Sequence, residues 1–240
     1  MSLRNRHVVV RTIDRAEGAT IDALAPIGTA TVHEAIGRRG YLGPEIRAIQ
    51  QGTKIAGSAV TVSCHPGDNL MIHAAVEVCQ PGDVLVVTTT APSTHGMFGD
   101  LLASSLMARG VRGLVIDAGV RDSYDLRDMG FPVWSRWISC EGTVKASPGS
   151  VNIPVVVNGQ LVEPGDVICA DDDGVVAVPR AEAAWGLAQS EARLAKEDGT
   201  RGKLQAGELG IDMYGLRDTL EALGVIYVDR LSDLDQADLS

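Results

Sequence analysis

The 240-residue sequence predicts an α/β body carrying a C-terminal helical extension, and three observations predict it. Apolar, β-branched runs alternate with helical segments as far as residue 117. The chain then turns to hairpin patterning around Asn158-Gly159. Residues 180–206 are polar, alanine-rich and helical in character. Length allows one large domain or two small ones, and the reading here is a body at residues 1–180 with an appendage at residues 181–240, with no linker between them.

The elements follow in order. Residues 28–39 (GTATVHEAIGRR) have helix character, with Thr29 or Thr31 as N-cap and Gly40 as the stop. Residues 55–63 alternate small and β-branched side chains, a strand pattern, and residues 69–78 form a helix. Pro81-Gly82-Asp83 turns the chain into residues 84–90, a Val, Leu and Thr run of the kind buried on both faces. The triplet recurs as Pro164-Gly165-Asp166 before Val167, read as two ordinary turns and not a duplication. Residues 100–109 (DLLASSLMAR) are a helix stopped by Gly110, and residues 114–117 are a short buried strand. Residues 132–139 are extended, Asn158-Gly159 closes a hairpin, and residues 174–178 complete the core.

Composition bounds the function. With 45% hydrophobic and 22% charged residues the chain is of ordinary globular type, neither disordered nor fibrous. Its 31 acidic and 21 basic residues leave a net charge of −10, which disfavours a nucleic-acid or anionic-membrane binder. Cys64, Cys79, Cys140 and Cys169 lie far apart without a C-x-x-C and read as buried small hydrophobes. Arg4 and Arg6 precede an apolar run that ends at Arg11, too short for a signal peptide. No stretch nears the roughly 20 apolar residues of a membrane span, so a cytoplasmic address is expected.

Several catalytic signatures are absent. His33-Glu34 opens like a zincin helix, but Gly37 stands where the second histidine belongs. There is no G-x-G-x-x-G, no P-loop frame around Gly199–Lys203 and no G-x-S-x-G elbow. The five histidines show no ligand spacing; His65 and His95 stand as weak loop candidates.

One segment concentrates chemistry: Gly96-Met-Phe-Gly99-Asp100-Leu101-Leu102, then a helix, then the strand that leads to Gly119-Val-Arg121-Asp122. A glycine-rich loop opening a helix leaves the amides near Leu101 and Leu102 without intrahelical partners, at the positive end of the helix dipole. Such a terminus receives carboxylate or phosphate. Arg121 and Asp122 emerge beyond the carboxyl edge of the following strand, where open α/β sheets bind ligands, so Asp100 and Asp122 can converge. Two carboxylates and an arginine there suit an oxygen-ligated cation such as Mg²⁺.

The pattern D-x20-R-D, with Gly57–Val62 before Gly67-Asp68-Asn69, Gly99–Ala103, Arg109–Gly113 and the region from Thr143 to Val178, resembles the class II pyruvate aldolases. These cleave 4-hydroxy-4-methyl-2-oxoglutarate and 4-carboxy-4-hydroxy-2-oxoadipate and belong to the superfamily of the regulator of ribonuclease activity A. The resemblance implies an α-β-β-α sandwich, assembled as homo-trimers or homo-hexamers with sites at subunit interfaces. It implies that Asp122 ligates Mg²⁺ or Mn²⁺, that Arg121 contacts the pyruvyl oxygens and that Asp100 holds a metal-bound water. The Leu101 and Leu102 amides would take the pyruvyl carboxylate. The C-terminal extension would lend a metal-site glutamate to a neighbouring subunit, with Glu197 the best match and Glu191 or Glu208 as alternatives. The expected substrate is a 2-oxo acid, with oxaloacetate decarboxylation alongside. The other function considered is a non-enzymatic regulator that occupies a partner's surface, which the acidic charge also allows.

Overall fold

The computed structural model describes residues 7–234, so Arg4 and Arg6 lie outside the described residues. The chain divides into two compact units, Met1–Arg193 and Leu194–Ser240. In chain order the first unit runs α1 (Gly18–Leu24), α2 (Thr29–Ala35), β1 (Arg47–Ala48), β2 (Ile55–Cys64), α3 (Leu70–Val78) and β3 (Asp83–Thr89). It continues through β4 (Gly96–Phe98), α4 (Asp100–Ala108), β5 (Gly113–Val120), α5 (Ser123–Asp128) and β6 (Val133–Ile138). Then come β7 (Ser150–Val151), β8 (Val155–Val157), β9 (Gln160–Val162), β10 (Val167–Asp171) and β11 (Gly174–Val178). The boundary between the units falls within α6 (Ala183–Gln205), and the second unit adds α7 (Gly210–Met213) and α8 (Leu216–Ala222).

The architecture is mixed α/β. One sheet has the order β1-β6-β5-β3-β2-β10-β11, with β4 beside β5 and β7 beside β2. The β2, β3, β5 and β6 neighbours are parallel, whereas β1, β10 and β11 add antiparallel edges. Alternation along each strand feeds two cores. Leu85 and Val87 of β3 pack with Ile72, Leu106 and Leu126 of α3, α4 and α5, while Val84 and Val86 face Val155, Val157 and Val162 of the β8–β9 hairpin. Burial on both faces is why residues 84–87 of β3 read as an unbroken apolar run.

The two Pro-Gly-Asp turns have one chemistry. Gly82 and Gly165 take φ of 91° and 89°, which glycine adopts without strain. The Asp83 carboxylate accepts the Gln80 amide at 2.7 Å, and the Asp166 carboxylate accepts the Glu163 amide at 2.9 Å. The hairpin turns on Asn158 and Gly159, both at positive φ, as its sequence predicts.

Some expectations are corrected. Neither Thr29 nor Thr31 caps α2: Gly28 holds the N-cap position and the Asp171 carboxylate accepts the Thr29 amide at 2.8 Å and its hydroxyl at 2.5 Å. The helix stops at Ala35, before Gly40, because Gly37 and Arg38 both turn to positive φ. Gly96–Phe98, read as loop, is a strand. Cys140 is exposed; Cys64, Cys79 and Cys169 are buried, which pushes each thiol up to about 12. In the second unit neither α7 nor α8 buries a residue. Among the described residues no helix is long and apolar enough to cross a membrane.

Candidate functional site

The sheet delivers its side chains at the carboxyl edge of β5. Arg121 follows Val120 and is tied to β4 by its amide, which donates to the Phe98 carbonyl at 2.8 Å. Asp122 then takes the left-handed conformation (φ 52°, ψ 37°) and starts α5, its carbonyl accepting from the Leu126 amide at 2.9 Å. The turn lays the Asp122 carboxylate against the start of α4: Oδ2 lies 3.4 Å from the Asp100 amide and 3.3 Å from Arg121 Nε. Aspartate is among the few side chains that tolerate this backbone.

On the facing wall, Gly99 precedes α4 and accepts the first intrahelical bond from Ala103 at 3.1 Å. The Leu101 and Leu102 amides therefore precede the helix's own ladder. Their side chains diverge: Leu102 is 6% exposed, while Leu101, 77% exposed, stands at the mouth. Gly99 is extended at φ −153°, so any residue could take its backbone, but a Cβ there would overlap the Asp122 carboxylate. Gly99→Ala is therefore expected to keep the fold and displace that carboxylate, and any turnover that depends on the carboxylate would fall about a hundredfold, which steady-state kinetics would check.

Asp100, Leu101, Leu102, Arg121 and Asp122 thus line one cleft of about 80 Å³, together with Asn69, His73 and Lys145. This volume suits a small ligand and not a nucleotide. The last three residues escaped the sequence reading. Asn69 and His73, four positions apart at the start of a recognised helix, carried a legible signal, since that spacing shares a helix face. Asn69 donates to the Met97 carbonyl at 3.1 Å, and its buried Oδ1 has no protein donor among the described residues. Burial, then the neighbouring Lys145, holds the His73 imidazole below its ordinary pKa.

Asp68 fixes this wall. It is 1% exposed and accepts the amides of Leu70 at 2.9 Å, Ala146 at 2.7 Å and Ser147 at 2.6 Å, pinning the Lys145 loop to the start of α3. Burial opposes its ionisation, but these bonds outweigh burial and hold the carboxyl below its usual range. Asp68→Ala is expected to cost about 2–4 kcal/mol by stranding buried amides, read as a lowered Tm. Because the folded pKa is depressed, this stabilisation is present above the usual carboxylate range and lost as pH falls through the lowered value. The variant therefore has a flatter acid limb in a stability-versus-pH series.

Glu197, on α6, belongs to the second unit, as does Glu208; Glu191 lies in the first. His95 lies 3.3 Å from Glu141 and 3.4 Å from Ser93, and His65 is exposed beside the Pro66 carbonyl, so both have local partners. No group of three or more His, Cys, Asp or Glu able to hold a metal assembles among the described residues. Asp100 and Asp122 supply oxygen donors only. They fit a hard cation that takes one or two carboxylates and completes its shell with water and substrate.

The Aldolase/RraA family profile matches residues 29–177. The chain belongs to the RraA-like family. Across 202 residues, 84% of this chain and 96% of the other, it is 26% identical to a Halalkalibacterium halodurans protein provisionally named as a 4-hydroxy-4-methyl-2-oxoglutarate aldolase. A Burkholderia multivorans protein with the same provisional name is 32% identical over 142 residues, 59% of this chain and 86% of that one. Among solved structures, Streptomyces coelicolor RraAS2, described as an unusual member of the RNase ES inhibitor RraA protein family, superposes with a TM-score of 0.71 at 30% identity. That match covers 79% of this chain and all of the other. The matched RraA-like segment contains the whole cleft, from Asn69 to Lys145.

Proposed function

We propose that this RraA-like protein is a divalent-metal-dependent aldolase that cleaves 4-hydroxy-4-methyl-2-oxoglutarate or 4-carboxy-4-hydroxy-2-oxoadipate into pyruvate and a second oxo acid. The observation that carries the reading is the meeting of Arg121, Asp122, Asp100 and the open amides of α4 in one small cleft. The provisional names of the relatives agree with it.

In this reading the Leu101 and Leu102 amides receive the C1 carboxylate, at the positive end of the α4 dipole. Asp122, assisted by Asp100 through water, holds Mg²⁺ or Mn²⁺, which when bound acts as a Lewis acid on the C2 carbonyl. Arg121 places its guanidinium beside the C2 oxygen, where negative charge develops as the C3–C4 bond breaks and its electron pair enters the enolate. A water at Asp100 takes the C4 hydroxyl proton as that carbon becomes a carbonyl. Loss of CO₂ from oxaloacetate generates the same enolate, so decarboxylation accompanies cleavage.

A second reading, regulation by binding a ribonuclease without turnover, rests on the resemblance to RraAS2 and on the net charge of −10. Incubating the protein with oxaloacetate and Mg²⁺ while following pyruvate separates the two. Pyruvate release that chelator stops supports the aldolase; no turnover with or without metal supports the regulator.

The reading extends to a homo-trimer or homo-hexamer in which Glu197 completes a neighbour's metal site. Glu197→Ala and Arg121→Ala subunits, each nearly inactive alone, are then expected to regain activity when mixed oligomers form. Verified mixing without recovery would remove Glu197 from the site.

A further inference from the structure

Retro-aldol cleavage moves two protons. The C4 hydroxyl loses one to the base, and the enolate carbon C3 gains one when pyruvate forms. The Asp100 water serves the first step, and the second needs a donor of its own. Of the cleft's other groups, Arg121 keeps its protons at neutral pH, Asp122 is committed to the cation, and Asn69, Met97, Phe98, Leu101 and Leu102 carry no titrating side chain. Lys145 and His73 remain, and of the two only an imidazole ordinarily gives up and recovers a proton near neutrality.

We infer that His73 is the residue that exchanges a proton with C3 of the pyruvate enolate, an inference that rests on the aldolase reading. His73 lies on α3, one turn beyond Asn69, whose amide anchors that helix to the Met97 carbonyl; both residues line the cleft that holds Arg121 and Asp122. His73 is exposed at the cleft, and among the described residues neither of its ring nitrogens makes a hydrogen bond within the protein, so both are open to a ligand or to solvent. The charged groups that line the cleft with it are Lys145 from the loop after β6, which acts on the ring directly, Arg121 and Asp122 after β5, and Asp100 at the start of α4. Desolvation on the cleft wall and Lys145 favour the neutral ring, the form that accepts a proton from the pyruvate methyl group in exchange; in the cleavage direction it is the protonated fraction that gives its proton to C3, and the ring is then recharged from solvent.

The test separates two partial reactions. Exchange of the pyruvate methyl protons in D₂O with Mg²⁺, followed by NMR, reports proton transfer at C3 alone, and loss of oxaloacetate reports carbon–carbon cleavage. His73→Ala and His73→Gln are expected to lose about a hundredfold or more in exchange. Decarboxylation should fall far less, because a released enolate can take its proton from water. Free imidazole should restore exchange to His73→Ala with a pH profile set by the added imidazole. Undiminished exchange in both folded variants would overturn the assignment, as would an equal loss in both reactions that imidazole leaves unrepaired. A wild-type protein that neither exchanges nor decarboxylates would bring down the aldolase reading itself, and the His73 role with it.

Discussion

Asp122→Asn is expected to abolish turnover that depends on Mg²⁺ or Mn²⁺, and excess cation should not restore it. Asparagine is the informative replacement because it shares aspartate's shape and its tolerance of the left-handed backbone that Asp122 adopts at φ 52°. Only the negative charge and one anionic oxygen are removed. Alanine would add backbone strain and blur the outcome. A cation held by one or two carboxylates depends heavily on each, and polarisation of a carbonyl lowers the barrier by several kcal/mol, so the loss is roughly a thousandfold or more in kcat. Calorimetric titration with Mn²⁺ should show binding weakened in parallel while near-ultraviolet circular dichroism stays native. If metal-dependent turnover survives in the folded variant, Asp122 does not hold the cation.

The second large effect is Arg121→Lys. The substitution keeps the positive charge but replaces a planar fork, which can bridge two oxygens, with a point charge on a flexible stem. In the structure Arg121 Nε already reaches toward Asp122 Oδ2, leaving the outer edge of the fork for substrate. Removing one well-placed oxyanion-stabilising group costs on the order of a hundredfold or more in kcat, and the lysine variant should approach that loss. A raised KM with kcat unchanged would reduce Arg121 to a binding role.

Much of this was legible from local pattern. The runs at residues 84–87 of β3 and 114–116 of β5 are continuously apolar because helices cover one face of the sheet and a hairpin the other. The loop, helix and strand around α4 suggest a candidate ligand site through glycine placement, and the resemblance carried by the D-x20-R-D pattern points to the same residues that the structure brings into one cleft. What stayed hidden depends on contacts distant in sequence. The cap of α2 comes from Asp171, 142 positions away, and no local pattern can reveal that. The strand β4 is three residues long and exists through pairing with β5. Lys145 reaches the cleft because Asp68 binds the amides of Ala146 and Ser147, 78 and 79 positions on. Short helices such as α1 and α5, of seven and six residues, span too few turns to display a period.

The glycines of the β4–β5 wall divide the site by its capacity to evolve. A Cβ on Gly96 would meet the Ser139 carbonyl, one on Gly99 the Asp122 carboxylate, and one on Gly119 the carbonyls of Thr94 and His95. Any single-nucleotide change in a glycine codon that alters the residue adds at least that atom, so drift has no gentle first step at these three positions. Leu101 can vary freely at the mouth of the same cleft. A saturation-mutagenesis scan read by the proposed activity should therefore find the floor of the cleft almost immutable beside a permissive rim. On the aldolase reading, such a molecule would change which acid it accepts far more readily than how it breaks the bond.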